Sequence, residues 1–136
     1  MSACLAMAMT ALPEDIPVGA VVVDAHGQVI ATANNRRERD HDPTAHAEVL
    51  ALREAGKRLG DWRLTACTLY VTLEPCPMCA SAIAQARLQR VVFGAYDPVM
   101  GACGSVLSLL GGSGTEVIGG ILEAECGQLL KDFFRR

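Results

Sequence analysis

What most constrains this chain is the order of its apolar patterns. Runs with strand-like alternation take turns with runs of helical period, and each needs the other to cover its apolar face. "VGAVVVDAHGQVIATANN" reads as a hairpin. Its strands fall near 18–24 and 28–33, around a turn at Ala25-His26-Gly27 in which His26 is solvated. A polar loop, "RRERDHDP", leads to a helix expected over 43–59, with Asp42 or Thr44 as its cap. "CTLYVTL" is a buried strand, "EPCPMCASAIAQARL" a turn and a helix, and "QRVVFGAYD" a strand that breaks at 94–97. "PVMGACGSVLSLL" reads as a Gly-rich loop entering a short helix. "TEVIGG" is a short strand and "ILEAECGQLLKDFFRR" the closing helix. The expected order is α-β-β-α-β-α-β-α-β-α, an α/β sheet covered by helices with a hairpin at its start. Ligands of such sheets bind beyond strand ends, where loops meet helix starts.

A chain of 136 residues suits one domain, taken as 1–136. At 51% hydrophobic and 20% charged it is globular and not disordered. A net charge of -3 argues against a general basic coat for nucleic acid and leaves room for a local patch. No apolar run reaches the length of a membrane span. The opening "MSACLAMAMTAL" lacks a basic leader and reads as a first helix on the core, not as a signal peptide. Nothing indicates export, so a cytoplasmic location is expected and the six cysteines are not read as disulfides. Cys4, Cys67, Cys103 and Cys126 have apolar or small neighbours and read as small buried hydrophobes.

Cys76 and Cys79 differ. In "LEPCPMC", Pro77 suits the first position of a helix, which makes Cys76 the cap and sets Cys79 one turn in. Both sulfurs can leave one helix start, where free N–H groups favour thiolates and hence zinc. A lone C-x-x-C is also compatible with a redox pair or a closed structural zinc site. No second C-x-x-C exists, which leaves His46 as the third ligand and one coordination position open, as in catalytic zinc sites. Glu48 cannot share the grip of His46 if both are helical, because two residues on a helix differ by about 200°. It reads instead as a proton carrier facing the open position. Alone, His46 is most simply a satisfied histidine and Glu48 a solvated charge. The joint pattern H-x-E…P-C-x-x-C outweighs both, and it is the known signature of zinc-dependent base deaminases.

At these residues the chain resembles the bacterial tRNA-specific adenosine deaminases of the cytidine-deaminase-like superfamily. The likeness is carried by "DPTAHAEVLALR", "LYVTLEPCPMCASAI" and "RVVFGAYDPVMGACGS", and runs with short gaps over about 17–134. It implies a three-layer α/β/α cytidine-deaminase-like fold with a five-stranded mixed sheet, one Zn2+ per chain and a homodimer. It implies hydrolysis of adenosine to inosine at the wobble position of a tRNA anticodon stem-loop. His46, Cys76 and Cys79 would bind the zinc, and Glu48 would move protons. By the same likeness Asn35 would hydrogen-bond the flipped base, and Asp97 would lie close to the bound nucleotide strand. Taken without the likeness, both are ordinary turn residues. Arg36, Arg37 and Arg39, or Lys131, Arg135 and Arg136, could hold phosphates; Arg39, between Glu38 and Asp40, reads as solvated.

Two departures stand out. The first helix is short and carries no charge before Glu14. "LSLLGGSGTEVIGG" is short where the family has a longer basic connection containing Asn-His-Arg. Its "GGSG" has the composition of a flexible linker, and both a designed loop replacement and a natural shortening are consistent with it. Three functions remain open at this level. They are deamination in a single-stranded nucleic-acid loop, with RNA or DNA unresolved; deamination of free guanine or cytosine; and a nucleic-acid-binding scaffold with a structural zinc. The intact Glu48 disfavours the last.

Overall fold

The computed structural model describes residues 1–135. Five strands form one mixed sheet in the order β2-β1-β3-β4-β5. They are β1 (Gly19–Val23), β2 (Val29–Asn34), β3 (Thr68–Leu73), β4 (Arg90–Ala95) and β5 (Glu116–Ile118). β1 runs antiparallel to both β2 and β3, while β3, β4 and β5 are parallel. The helices are α1 (Ser2–Met9), α2 (Ala47–Leu59), α3 (Pro77–Gln85) and α4 (Glu123–Arg135). None is long and apolar enough to cross a membrane.

Strand alternation decides which helix covers which face. Ala20, Val22, Leu69, Val71, Val91 and Phe93 point into the main core. Ala51, Leu52 and Ala55 of α2 and Ile83 of α3 meet them there. The opposite face is built for close backbone approach. A Cβ on Gly19 would lie 2.1 Å from the Cys4 carbonyl oxygen of α1, and one on Gly94 would lie 2.3 Å from Cys126 Sγ of α4. Small residues therefore seat α1 and α4 directly on the sheet, which completes the three layers. Central β3 is covered on both faces, so its threonines are buried too; Thr72 Oγ1 accepts the Gly19 N–H at 3.2 Å.

Two expectations are corrected. The helix expected from 43 begins at Ala47, because Asp42 does not cap it. Its Oδ1 accepts the N–H and hydroxyl of Thr44 in a local turn, and His46 itself stands at the cap position. The short helix expected within 98–110 does not form. That segment is a set of turns tied to Gly101 and Ala102, with an isolated bridge between Cys103 and Ser108. The "GGSG" segment has more order than its composition suggests. Ser113 Oγ donates to the Leu110 carbonyl at 2.6 Å, and Thr115, just beyond, anchors its hydroxyl on the Leu88 carbonyl.

Candidate active site

Two helix starts face each other beyond the sheet. Cys76 caps α3 in an extended conformation (φ -75°, ψ 174°), with Pro77 as the first helical residue. His46 caps α2 in the same way (φ -74°, ψ 148°). The caps bring His46 Nδ1 to 3.7 Å from Cys76 Sγ and 3.5 Å from Cys79 Sγ. A tetrahedral ion at ordinary Zn–S and Zn–N lengths sets sulfur and nitrogen about 3.6 Å apart. The three side chains therefore fit zinc without rearrangement, and their ligand atoms form one group of metal-ligand geometry.

The electrostatics agree. The Cys76 thiol is drawn down to about 4, first by the hydrogen bond from Cys79, with burial opposing and His46 assisting. Cys79, donating to Cys76 in a buried position, is pushed up. His46 is raised by its hydrogen bond with Cys76, against burial. One thiolate thus stands ready at neutral pH, and a divalent cation would displace the second proton.

Glu48 is the second residue of α2, within its first turn, and is only 4% exposed. Burial lifts its carboxyl to about 7, opposed by its own backbone N–H and by His46. The helical-wheel objection to His46 and Glu48 sharing a site does not apply, because His46 has left helical geometry at the cap. Both line one cavity of about 280 Å³, at the small end for ligand sites. Asn35, Arg37, Cys76 and Asp97 add polar walls, and Ile16, Val18, Leu73 and Met100 add apolar ones.

Asn35 is buried, with its Nδ2 donating to the Ile16 carbonyl at 3.2 Å and its Oδ1 accepting the Arg37 N–H at 3.2 Å. One N–H and one lone pair of its amide remain available. Asp97 is half-buried and caps its own turn, its Oδ1 accepting the N–H groups of Val99 and Met100 at 3.0 Å each. Arg36 is engaged with Asp40 at 3.0 Å, and Arg37 lines the cavity. Arg39 is not the solvated residue expected, since it reaches the buried Asp15 carboxylate at 3.5 Å and holds the segment that carries Asn35. Lys131 and Arg135 are exposed on α4 and do not line the cavity; Arg136 lies outside the described residues.

Two residues escaped sequence reasoning. Glu74 is 1% exposed and works as a hub. Its Oε1 accepts the Asp97 N–H at 3.0 Å and the Ser105 hydroxyl, while Oε2 accepts the N–H groups of Cys103 at 3.1 Å and Ser105 at 3.0 Å. Asp15 does the same for the other wall, accepting the N–H of Glu38 at 2.7 Å. The available signal was a carboxylate next to an apolar strand run, alone at Glu74 and paired with Glu14 at Asp15.

Residues 1–95 match the family model described as the cytidine and deoxycytidylate deaminase zinc-binding region. The chain is 50% identical to the tRNA-specific adenosine deaminase of Bacillus subtilis over 125 residues, covering 89% of this chain and 77% of that protein. The chain belongs to the tRNA-specific adenosine deaminase family. A solved structure from a study of A-to-I editing by tRNA:A34 deaminases superposes with a TM-score of 0.91 at 41% identity, over 96% of this chain and 97% of the other. The fold of this deaminase is therefore cytidine-deaminase-like. A guanine deaminase structure from Bacillus subtilis is 42% identical over 70% of this chain and 61% of its own, with a TM-score of 0.66. Other relatives are much longer than this deaminase, which spans 24% of two Deinococcus tRNA(Ile)-lysidine synthases and 11% of a chloroplastic tRNA(adenine(34)) deaminase of Arabidopsis thaliana.

Proposed function

We propose that this chain hydrolyses adenosine to inosine at the wobble position of a tRNA anticodon, as a single zinc-dependent domain that works as a cytoplasmic homodimer. The observation that carries the reading is the cluster of His46, Cys76 and Cys79, of which His46 and Cys76 line one small cavity with the buried carboxyl of Glu48. The zinc would be held by His46 Nδ1 and the two thiolates, which leaves one position of a tetrahedron open. Bound there, zinc supplies a Lewis acid that makes water nucleophilic near neutral pH. A closed structural site would need a fourth protein ligand, and among the described residues the ligand group numbers three.

Glu48 is the proton carrier. Its carboxylate takes a proton from the water that attacks carbon 6 of adenine and passes it to ring nitrogen 1. A further proton goes through Glu48 to the departing amine, so water and adenosine become inosine and ammonia. Its raised pKa suits both directions of transfer near neutrality. Asn35 offers its free N–H and lone pair to the edge of the base. Asp97 fixes the turn at the cavity mouth, beside the nucleotide strand. A cavity this small admits an unstacked base and not a stacked one, which favours a hairpin loop as substrate.

A second reading, deamination of free guanine, has the guanine deaminase likeness in its favour. Ammonia release by the purified protein separates the two. It is measured on an anticodon stem-loop, single-stranded DNA, guanine and cytosine, with inosine identified in the RNA product. Turnover of the stem-loop alone or foremost is expected. Preferential turnover of guanine would overturn the adenosine assignment.

A further inference from the structure

A groove runs between α2 and the outer strand β2, close to the catalytic cavity. It encloses about 720 Å³. Four cations line it: Arg36, Arg53, Lys57 and Arg58. Arg36 is engaged with Asp40, but among the described residues Arg53, Lys57 and Arg58 make no ion pair. All three are exposed. Glu54 is the one carboxylate in the lining, and Asp42 feels Arg53 from the start of the helix. On a chain of net charge -3 this is a concentration of positive charge against the overall sign.

Placement gives the groove a direction. Positions 53 and 57 are neighbours one turn apart on α2, and Arg58, the next residue, lines the same groove. The groove leads back to the catalytic cavity. Arg36 lines the groove, while Asn35 and Arg37 on either side of it line the cavity. From Glu48 to Arg58 the helix rises about 15 Å. That equals four to five steps of a duplex strand at ~3.4 Å each, so the far end of the groove lies beyond the bases that flank a flipped nucleotide. Exposed, unpaired cations along a groove recognise regularly spaced phosphates with no need to read bases.

We propose that the α2–β2 groove binds the phosphate backbone of the paired stem that carries the target loop, through Arg53, Lys57 and Arg58. The proposal rests on the deaminase reading given above and adds where the stem lies. It assigns the stem to one side of the protein, with the loop folded over the Asn35–Arg37 segment into the cavity. The groove then contributes affinity that a loop without a stem cannot obtain.

The experiment compares the parent protein with Lys57→Glu/Arg58→Glu, using zinc-loaded protein throughout. Arg58→Glu and Arg63→Glu form a second, charge-matched pair; Arg63 is exposed and bridges to Asp61 away from the groove. The RNA probes are an anticodon stem-loop and a short unpaired oligonucleotide with the same loop sequence. For the stem-loop, the double variant should raise KM roughly tenfold and flatten the salt dependence of log binding constant by about 2. Its kcat, its zinc content and its KM for the unpaired oligonucleotide should match the parent's. Arg58→Glu should weaken stem-loop binding more than Arg63→Glu. Parental KM and salt slope in the double variant would overturn the proposal, as would equal losses in Arg58→Glu and Arg63→Glu. If the parent deaminates no RNA at all, the underlying reading fails and this one with it.

Discussion

Glu48 and Glu74 are both buried carboxyls, yet their surroundings set them to opposite tasks. Glu48 has burial as its dominant influence and sits near 7. Replacing it with Ala should leave zinc bound and cut turnover by about 10²–10⁴-fold, the usual worth of a positioned proton carrier. Metal analysis beside a rate measurement checks this, and loss of zinc would move Glu48 into the ligand set. For Glu74 burial also raises the pKa, but hydrogen bonds from Ser105, Asp97 and Cys103 outweigh it and hold the carboxyl below its ordinary 4.5. A depressed folded-state pKa stabilises the fold above the ordinary value, and that stability is lost as pH falls through the depressed one. Glu74→Gln must turn its amide nitrogen toward one of these donors. The Ser105 hydroxyl can rotate to accept it and the Asp97 N–H cannot, so one buried donor is stranded at a cost of about 1–3 kcal/mol. Urea unfolding should show that deficit above about pH 5.5 and a shrinking difference from the parent below about pH 4.5.

Elements meet in this fold by backbone contact as much as by side chains. Gly19→Ala would drive a methyl to 2.1 Å from the Cys4 carbonyl and 2.5 Å from the Ala8 nitrogen. Both are main-chain atoms of α1, so the helix must lift from the sheet. A loss of about 1–3 kcal/mol is expected, read as a lower denaturation midpoint with zinc content unchanged. Such contacts explain what was legible beforehand. Strand β3 and the Cys76-Pro77 start of α3 were readable because period-two alternation and a proline at the first turn act locally. The start of α2 was misread by four residues, since Asp42 had a nearer partner in Thr44. The Gly-rich loop at 98–110 is expected to enter a short helix and forms turns instead, because its organiser, Glu74, is 23 or more residues away in sequence. The chemistry of the site was legible as a motif, but how His46 and Glu48 come to line one cavity depends on a backbone dihedral at residue 46 that no spacing rule supplies.

At the scale of the whole molecule, zinc would tie the starts of α2 and α3 to each other. A ligand held at a thousand times its Kd stabilises the folded state by about 4 kcal/mol. Chelation should therefore lower Tm by roughly ten degrees or more, with recovery on adding zinc. An unchanged Tm in protein verified as metal-free would show that the helix starts need no metal to stay together. For the turn at 111–114 an effect on affinity is expected instead. Grafting a longer basic connection there should steepen the salt dependence of stem-loop binding while leaving kcat alone. The 97–105 loop, one wall of the cavity, is fastened to Glu74 almost wholly by its main chain, and Gly101 fits because a Cβ would lie 2.5 Å from that carboxyl. The side chains of Val99, Met100, Val106 and Leu107 stand exposed and take no part in that fastening. Evolution, or a mutagenesis library, can thus rewrite what this rim offers an incoming strand without touching the anchor or the metal ligands, so new substrate preferences are open to this fold at little risk to its stability.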